Sequence, residues 1–200
     1  MLNPVIISAA VEGIVDEAVI RRLIAYAGGV PGPVYGKNGK QDLREKIKGY
    51  NNAARHAPWM VLVDLDSDAD CAPILRRDWL PMPAQRLCFR VAVRQVEAWL
   101  MADAETLAAY LVVARRRIPA DPEAIPNAKA EMVNLARASR RREIRADMVP
   151  REGSGRAVGP AYTSRLMEYT ERHWRPEVAA QHADSLRRTI DCLKRLVEDA

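Results

Sequence analysis

The sequence predicts an α/β fold: a parallel sheet flanked by helices, followed by a helical C-terminal extension. Three observations carry that expectation. Short apolar runs at residues 5–11, 59–63 and 86–93 have the length and continuity of strands buried on both faces. Helical stripes alternate with them, the pattern of βα units closing onto one parallel sheet. After residue 115 the strand signal stops. The expected division is an α/β core over residues 1–115 and a helical extension over 116–200, packed on that core.

Each element follows from its residues. Val5 to Val11 is β-branched and small, and Glu12-Gly13 ends it. Asp16 to Ala27 carries Ala18, Val19, Leu23, Ile24 and Ala27 on one helical stripe, and Gly28-Gly29 closes it. Residues 30–39 are rich in Gly and Pro and read as a loop, with room for a short strand at Val34-Tyr35. Gln41 to His56 reads as a polar helix. Trp59 to Val63 is a strong strand closed by Asp64. Asp70 to Leu80 reads as a short or irregular helix. Arg86 to Val93 is the third strong strand, and Val96 to Tyr110 a helix. Pro119, Pro122 and Pro126 then break the chain. Helices are expected over 128–145, 161–174 and 185–198, with a basic loop at 150–160.

Composition excludes several classes. The chain has 200 residues, 48% of them hydrophobic and 28% charged, enough for a buried core and unlike a disordered segment. Apolar runs such as Ala108 to Ala114 fall far short of the roughly 20 residues of a membrane-spanning helix. The opening Met-Leu-Asn-Pro lacks the basic region of a secretory signal. Cys71, Cys88 and Cys192 lie far apart and suit neither a disulfide framework nor a zinc pair, so a reducing cytoplasm is expected. The formal net charge is +5. Residues 1–103 hold 13 Lys+Arg against 12 Asp+Glu, and residues 104–200 hold 18 against 14. The excess lies in the second half, with triplets at Arg115-Arg116-Arg117 and Arg140-Arg141-Arg142. It suits either polyanion binding or a solvated helical surface.

In open parallel sheets ligands bind at the carboxyl ends of the strands. The acidic residues of the first half fall there. Glu12 follows the first strand, with Asp16 and Glu17 one helical turn on. Asp64 and Asp66 follow the second strong strand and share a face if the backbone stays extended. Glu97 lies just past the third. Carboxylates about 4 Å apart cost roughly 4 kcal/mol per pair at an effective dielectric near 20. Protonation or a divalent cation relieves that cost, and Mg²⁺ or Mn²⁺ is the hard, oxygen-seeking choice. Lys37, Lys40, Arg90 and Arg94 stand near these strand ends and are candidates to contact phosphate; a solvated amphipathic helix is the alternative for Lys37 and Lys40, and ion pairing with Glu97 for Arg94.

The stretch Val11-Glu12-Gly13-Ile14-Val15-Asp16-Glu17 resembles the glutamate motif of the Toprim superfamily of topoisomerases, primases, small ribonucleases and overcoming-lysogenization-defect nucleases. Val61-Leu62-Val63-Asp64-Leu65-Asp66-Ser67-Asp68 resembles its DxD motif, in the matching order and spacing. Val96-Glu97-Ala98-Trp99-Leu100-Met101-Ala102-Asp103 resembles a segment of an uncharacterised bacterial Toprim-like family, often found beside ATPase genes and in phage-defence settings. The resemblance implies a Toprim-like (Rossmann-like) core. It makes Glu12 a metal ligand or general acid/base, Asp64 and Asp66 the principal Mg²⁺ ligands, and Asp16 a supporting ligand, with Glu97 and Asp68 as additional candidates. It implies a Mg²⁺-dependent nuclease of DNA or RNA in the cytoplasm. The alternatives are a non-catalytic subunit that binds nucleic acid or an ATPase partner, and a small-nucleotide phosphohydrolase.

Two rival motifs fail. Asp64-Leu65-Asp66-Ser67-Asp68 opens like a calcium loop but places Ala69 at the turn position that needs Gly, and Leu75 where a Glu ligand belongs. Gly32 to Asn38 resembles a phosphate loop but is one residue short and lacks Ser/Thr after its lysine.

Overall fold

The computed structural model describes residues 4–199. The chain forms two compact units, Met1–Val93 together with Asp184–Ala200, and Arg94–Ala183. The division therefore falls at residue 94 rather than 115, and the last helix belongs to the sheet-bearing unit.

In the first unit, β1 (Ile6–Val11), α1 (Ile14–Tyr26), β2 (Val30–Gly36), α2 (Lys40–Ala53), β3 (Trp59–Asp64), α3 (Ala72–Trp79) and β4 (Leu87–Ala92) follow one another. The four strands are all parallel, in the order β2-β1-β3-β4. Alternation along the strands divides their side chains between two faces. Ala10, Val61, Val63, Phe89 and Val91 face Leu43 and Ile47 of α2 and Leu75 and Trp79 of α3. The opposite face carries Ile7, Ala9, Met60 and Leu62, all fully buried. The helices α1, against β1, and α10 (Asp184–Glu198), against β4, pack in this unit as well.

The stretch read as a Gly/Pro loop is a full strand. Its residues Pro31 and Pro33 cannot donate to a ladder, which restricts them to an edge, and β2 is an edge strand with β1 as its neighbour. The register shifts between Ile7 and Ala9 of β1. Gly32 fits there because a Cβ would stand 3.1 Å from the Ile7 carbonyl oxygen. Pairing with β1 overrides the local loop composition.

The three cysteines also depart from expectation. Cys88 of β4 and Cys192 of α10 form a disulfide, with Cα atoms 6.0 Å apart across 104 residues of sequence. Their pairing depends on the return of α10 to the edge strand, which no local spacing reveals. Cys71 is free and exposed. Cysteine usage therefore no longer points to a reducing compartment.

The second unit is helical: α4 (Val96–Ala102), α5 (Ala104–Leu111), two short 3-10 turns, α6 (Ala128–Arg137), α7 (Arg142–Met148), α8 (Tyr162–Arg172) and α9 (Pro176–Ala179). Every residue of α4 is buried. Trp99 of α4 and Trp174 are among the largest buried side chains, and the Trp174 indole N–H donates to the Trp99 carbonyl at 3.2 Å. The single helix expected over 96–110 breaks at Asp103, whose carboxylate accepts from the Arg175 backbone N–H, Nε and Nη2 at 2.7–3.0 Å. The helix expected over 128–145 breaks likewise, where Ser139 Oγ accepts from the Arg141 N–H at 3.0 Å. No described helix is long and apolar enough to cross a membrane.

Gly36 ends β2 with φ +83, and a Cβ there would run into the Val11 carbonyl oxygen. Gly36→Ala is expected to lower stability by about 1–3 kcal/mol, through backbone strain and that clash. Urea unfolding of both proteins measures it.

Candidate functional site

The carboxyl ends of β1 and β3 meet at one edge of the sheet. Glu12 is the first residue past β1, and its Oε1 accepts the backbone N–H of Asp64, the last residue of β3, at 2.7 Å. That bond joins residues 52 positions apart. The chain after β2 is tied to the same edge. The Lys37 N–H donates to the Val11 carbonyl at 2.9 Å and the Gly39 N–H to the Glu12 carbonyl at 3.0 Å. Those bonds bring the start of α2, and so Lys40, to the acidic residues.

Asp16 is buried in the first turn of α1, where a carboxylate suits the helix dipole. Gly13, just before that helix, leaves it room: a Cβ there would lie 2.9 Å from Asp16 Oδ2. Past Asp64 the backbone does not stay extended. Leu65 still donates to Ala92, and then Asp66 takes a left-handed conformation, φ 49. Asp tolerates that region better than most residues. The expectation that Asp64 and Asp66 share a face by strand alternation therefore fails at Asp66. Its carboxylate turns to Lys40 instead.

Lys40, a candidate for phosphate, meets carboxylates in this structure: its Nζ stands 2.5 Å from Asp66 Oδ2 and 2.7 Å from Asp68 Oδ2. A lysine in the first turn of a helix opposes the dipole, so these carboxylates hold it against that field. Burial works against its charge, yet the hydrogen bonds to Asp66 and Asp68 and the charges of Glu12 and Asp66 outweigh it and raise its pKa. Lys37 likewise reaches a carboxylate, Glu17 Oε2, at 2.8 Å.

Glu12 carries the cost of the cluster. Burial is the largest influence and pushes its carboxyl up to about 7; Asp16 and Asp66 add to it, while Lys40 and the Asp64 N–H oppose it. The repulsion inferred from sequence is thus relieved in two ways without metal, by a proton on Glu12 and by the ammonium of Lys40. A cavity of about 450 Å³ opens beside Lys40, lined by Arg44, Asp68 and Trp79 among others. The Arg44 guanidinium lies over the Trp79 ring at 5.7 Å.

The remaining candidates have other surroundings. Glu97 belongs to the helical unit and is 1% exposed. Its Oε1 accepts from the Tyr162 hydroxyl at 3.1 Å and lies 3.7 Å from Lys129 Nζ. Its ion-pair partner is thus Lys129. Arg94 opens that unit with φ 60. Arg90 lies within β4. The oxygen-only donor set of Glu12, Asp64, Asp66 and Asp16 suits a hard cation such as Mg²⁺, which commonly takes one or two carboxylates and fills its shell with water and phosphate. Among the described residues, no three His, Cys, Asp or Glu side chains are gathered to hold an ion by themselves. No family model, no curated protein and no solved structure matches the chain.

The raised pKa of Glu12 fixes a sign. Between its ordinary value of 4.5 and about 7, the folded protein keeps a proton that the unfolded chain has released. Glu12 therefore makes metal-free stability fall as pH rises through that window. Glu12→Gln is expected to remove this fall. Thermal melts of both proteins across the window, in chelator, measure the difference.

Proposed function

We propose that the chain is a Toprim-type, divalent-metal-dependent phosphodiesterase that cleaves DNA or RNA. The observation that carries this reading is the hydrogen bond from the Asp64 N–H to the Glu12 carboxylate, which joins the two motif strands at their carboxyl ends. Asp64 and Asp66, with Asp16 in support, are the residues that would hold Mg²⁺ or Mn²⁺. Such an ion, when bound, supplies charge stabilisation on phosphate and acidifies water. Glu12 is the group that moves the proton, since burial holds its carboxyl near neutrality. Lys40 keeps Asp66 turned toward the start of α2. A cavity lies beside Lys40 and Asp68, which are joined by an ion pair.

One observation favours the competing reading, a non-catalytic subunit that binds nucleic acid or an ATPase partner. Lys40 already neutralises Asp66 and Asp68, as a resident cation would. The two readings separate in a cleavage assay on end-labelled single-stranded DNA, duplex DNA and RNA, with Mn²⁺ or chelator. The nuclease reading expects metal-dependent products from at least one substrate. Asp64→Asn and Glu12→Gln should each cut the rate by about 100-fold or more, the scale for loss of a proton-transfer or charge-stabilising group. Binding without cleavage under every metal condition supports the subunit reading.

A further inference from the structure

In sequence, the second unit is inserted into the first between β4 and α10. The Cys88–Cys192 bond closes the chain across that insertion, with all of residues 94–183 inside its loop. Within the sheet unit, α10 packs on β4 and is tied to it at both ends of the strand. At the carboxyl end the Val93 N–H donates to Ser185 Oγ at 3.1 Å. At the amino end Cys88, the second residue of β4, is bonded to Cys192, about two helical turns past Ser185. The helix therefore runs antiparallel to the strand. Its last turns are held by the disulfide and by the buried Leu193 and Leu196.

A cavity of about 200 Å³ opens beside the bond, and both cysteines line it, together with Arg86, Arg195 and Asp199. It lies at the amino end of β4. Ala92, in register with Asp64, is four residues on from Cys88, roughly 13 Å along the strand. The cavity is therefore separate from the Glu12–Asp64 edge. Cys88 is 1% exposed, whereas Cys192 is only partly buried, so Cys192 presents the sulfur that a reagent reaches first. Arg86 and Arg195 are exposed, and among the lining residues Asp199 alone opposes their charge.

We infer that Cys88 and Cys192 form a thiol–disulfide exchange site, entered from this cavity by a small anionic thiol, whose opening releases the last turns of α10 from β4. The incoming thiolate attacks Cys192 Sγ. The S–S bond breaks and its electron pair leaves on Cys88 Sγ, so the reagent is held on Cys192 as a mixed disulfide. A second thiolate then attacks the reagent's sulfur and frees the Cys192 thiolate. Two small thiols are oxidised to one small disulfide. The protein disulfide is reduced to two thiols, which take up the two protons that the reagents lost. Guanidinium groups beside the sulfurs attract the anion and favour the thiolates formed. The space suits a reagent of few atoms, since each water in the liquid occupies about 30 Å³. Opening a loop that spans 104 residues of sequence also restores much chain freedom. The inference is independent of the nuclease reading.

The test uses the full chain with the exposed Cys71 replaced, Cys71→Ser, so that only the pair reports. The oxidised protein is exposed to glutathione, an anionic thiol, or to 2-mercaptoethanol, a neutral one. Alkylation and mass spectrometry should find no free thiol before exposure and two after it. Opening by glutathione at low salt should slow by about tenfold in R86Q/R195Q, while opening by 2-mercaptoethanol keeps its rate. Amide hydrogen exchange over residues 192–198 should quicken by about tenfold or more on opening. Cys192→Ser should show that fast exchange without any thiol, and it keeps the test open should Cys88→Ser, inside the sheet, fail to fold. Free cysteines in the oxidised protein, or a bond that opens only on unfolding, overturn the exchange site. Opening by a protein dithiol alone, or equal slowing toward both small thiols, overturns the small anionic thiol. Unchanged hydrogen exchange after opening overturns the release of α10.

Discussion

A parallel sheet brings the carboxyl ends of its strands to one edge, and in this chain that edge is acidic. Glu12 and Asp64 come together there because β1 and β3 are neighbours, and one amide hydrogen bond fixes them at 2.7 Å. The nearby arrangement answers the electrostatic cost of that meeting. The glycine-ended strand β2 delivers Lys40 to the edge, Asp66 leaves extended geometry to receive it, and Glu12 holds its proton to about pH 7. The site still offers hard oxygen donors. A cation arriving with a substrate phosphate would need few protein ligands.

Basic groups at the sheet are of two kinds. Lys37 and Lys40 are consumed by Glu17, Asp66 and Asp68, and so serve the cluster itself. Arg76, Arg90 and Arg195 make no ion pair among the described residues, and Arg195 reaches the sheet through the late return of α10 to β4, which the Cys88–Cys192 bond fastens. The sheet unit's formal charge is small, 16 Lys+Arg against 14 Asp+Glu over residues 1–93 and 184–200, and a sum cannot show which charges are paired.

Much of this was legible in the sequence, and what was not has physical causes. Three strands and their helices were readable because buried parallel strands are continuous apolar runs. The strand β2 was not, since Val30-Pro31-Gly32-Pro33 has loop composition and is ordered by pairing with β1. The breaks at Asp103 and Ser139 escaped because distant or backbone hydrogen bonds make them, with Arg175 in the first case. At the site, the meeting of Glu12 with Asp64 followed from strand order, and the structure supports it. The role of Lys40 did not, because a lysine after Gly39 looks the same whether it faces phosphate or Asp66.

The central claim is that the Glu12–Asp64 edge receives a divalent cation together with phosphate. The most direct measurement is a crystal structure of the Glu12→Gln protein grown with Mn²⁺ and a short oligonucleotide, read by anomalous scattering from the metal. The account predicts one manganese peak within bonding distance of Asp64 and of a phosphate oxygen. An oligonucleotide bound with no manganese at Asp64, and Lys40 still bridging Asp66 and Asp68, would contradict it.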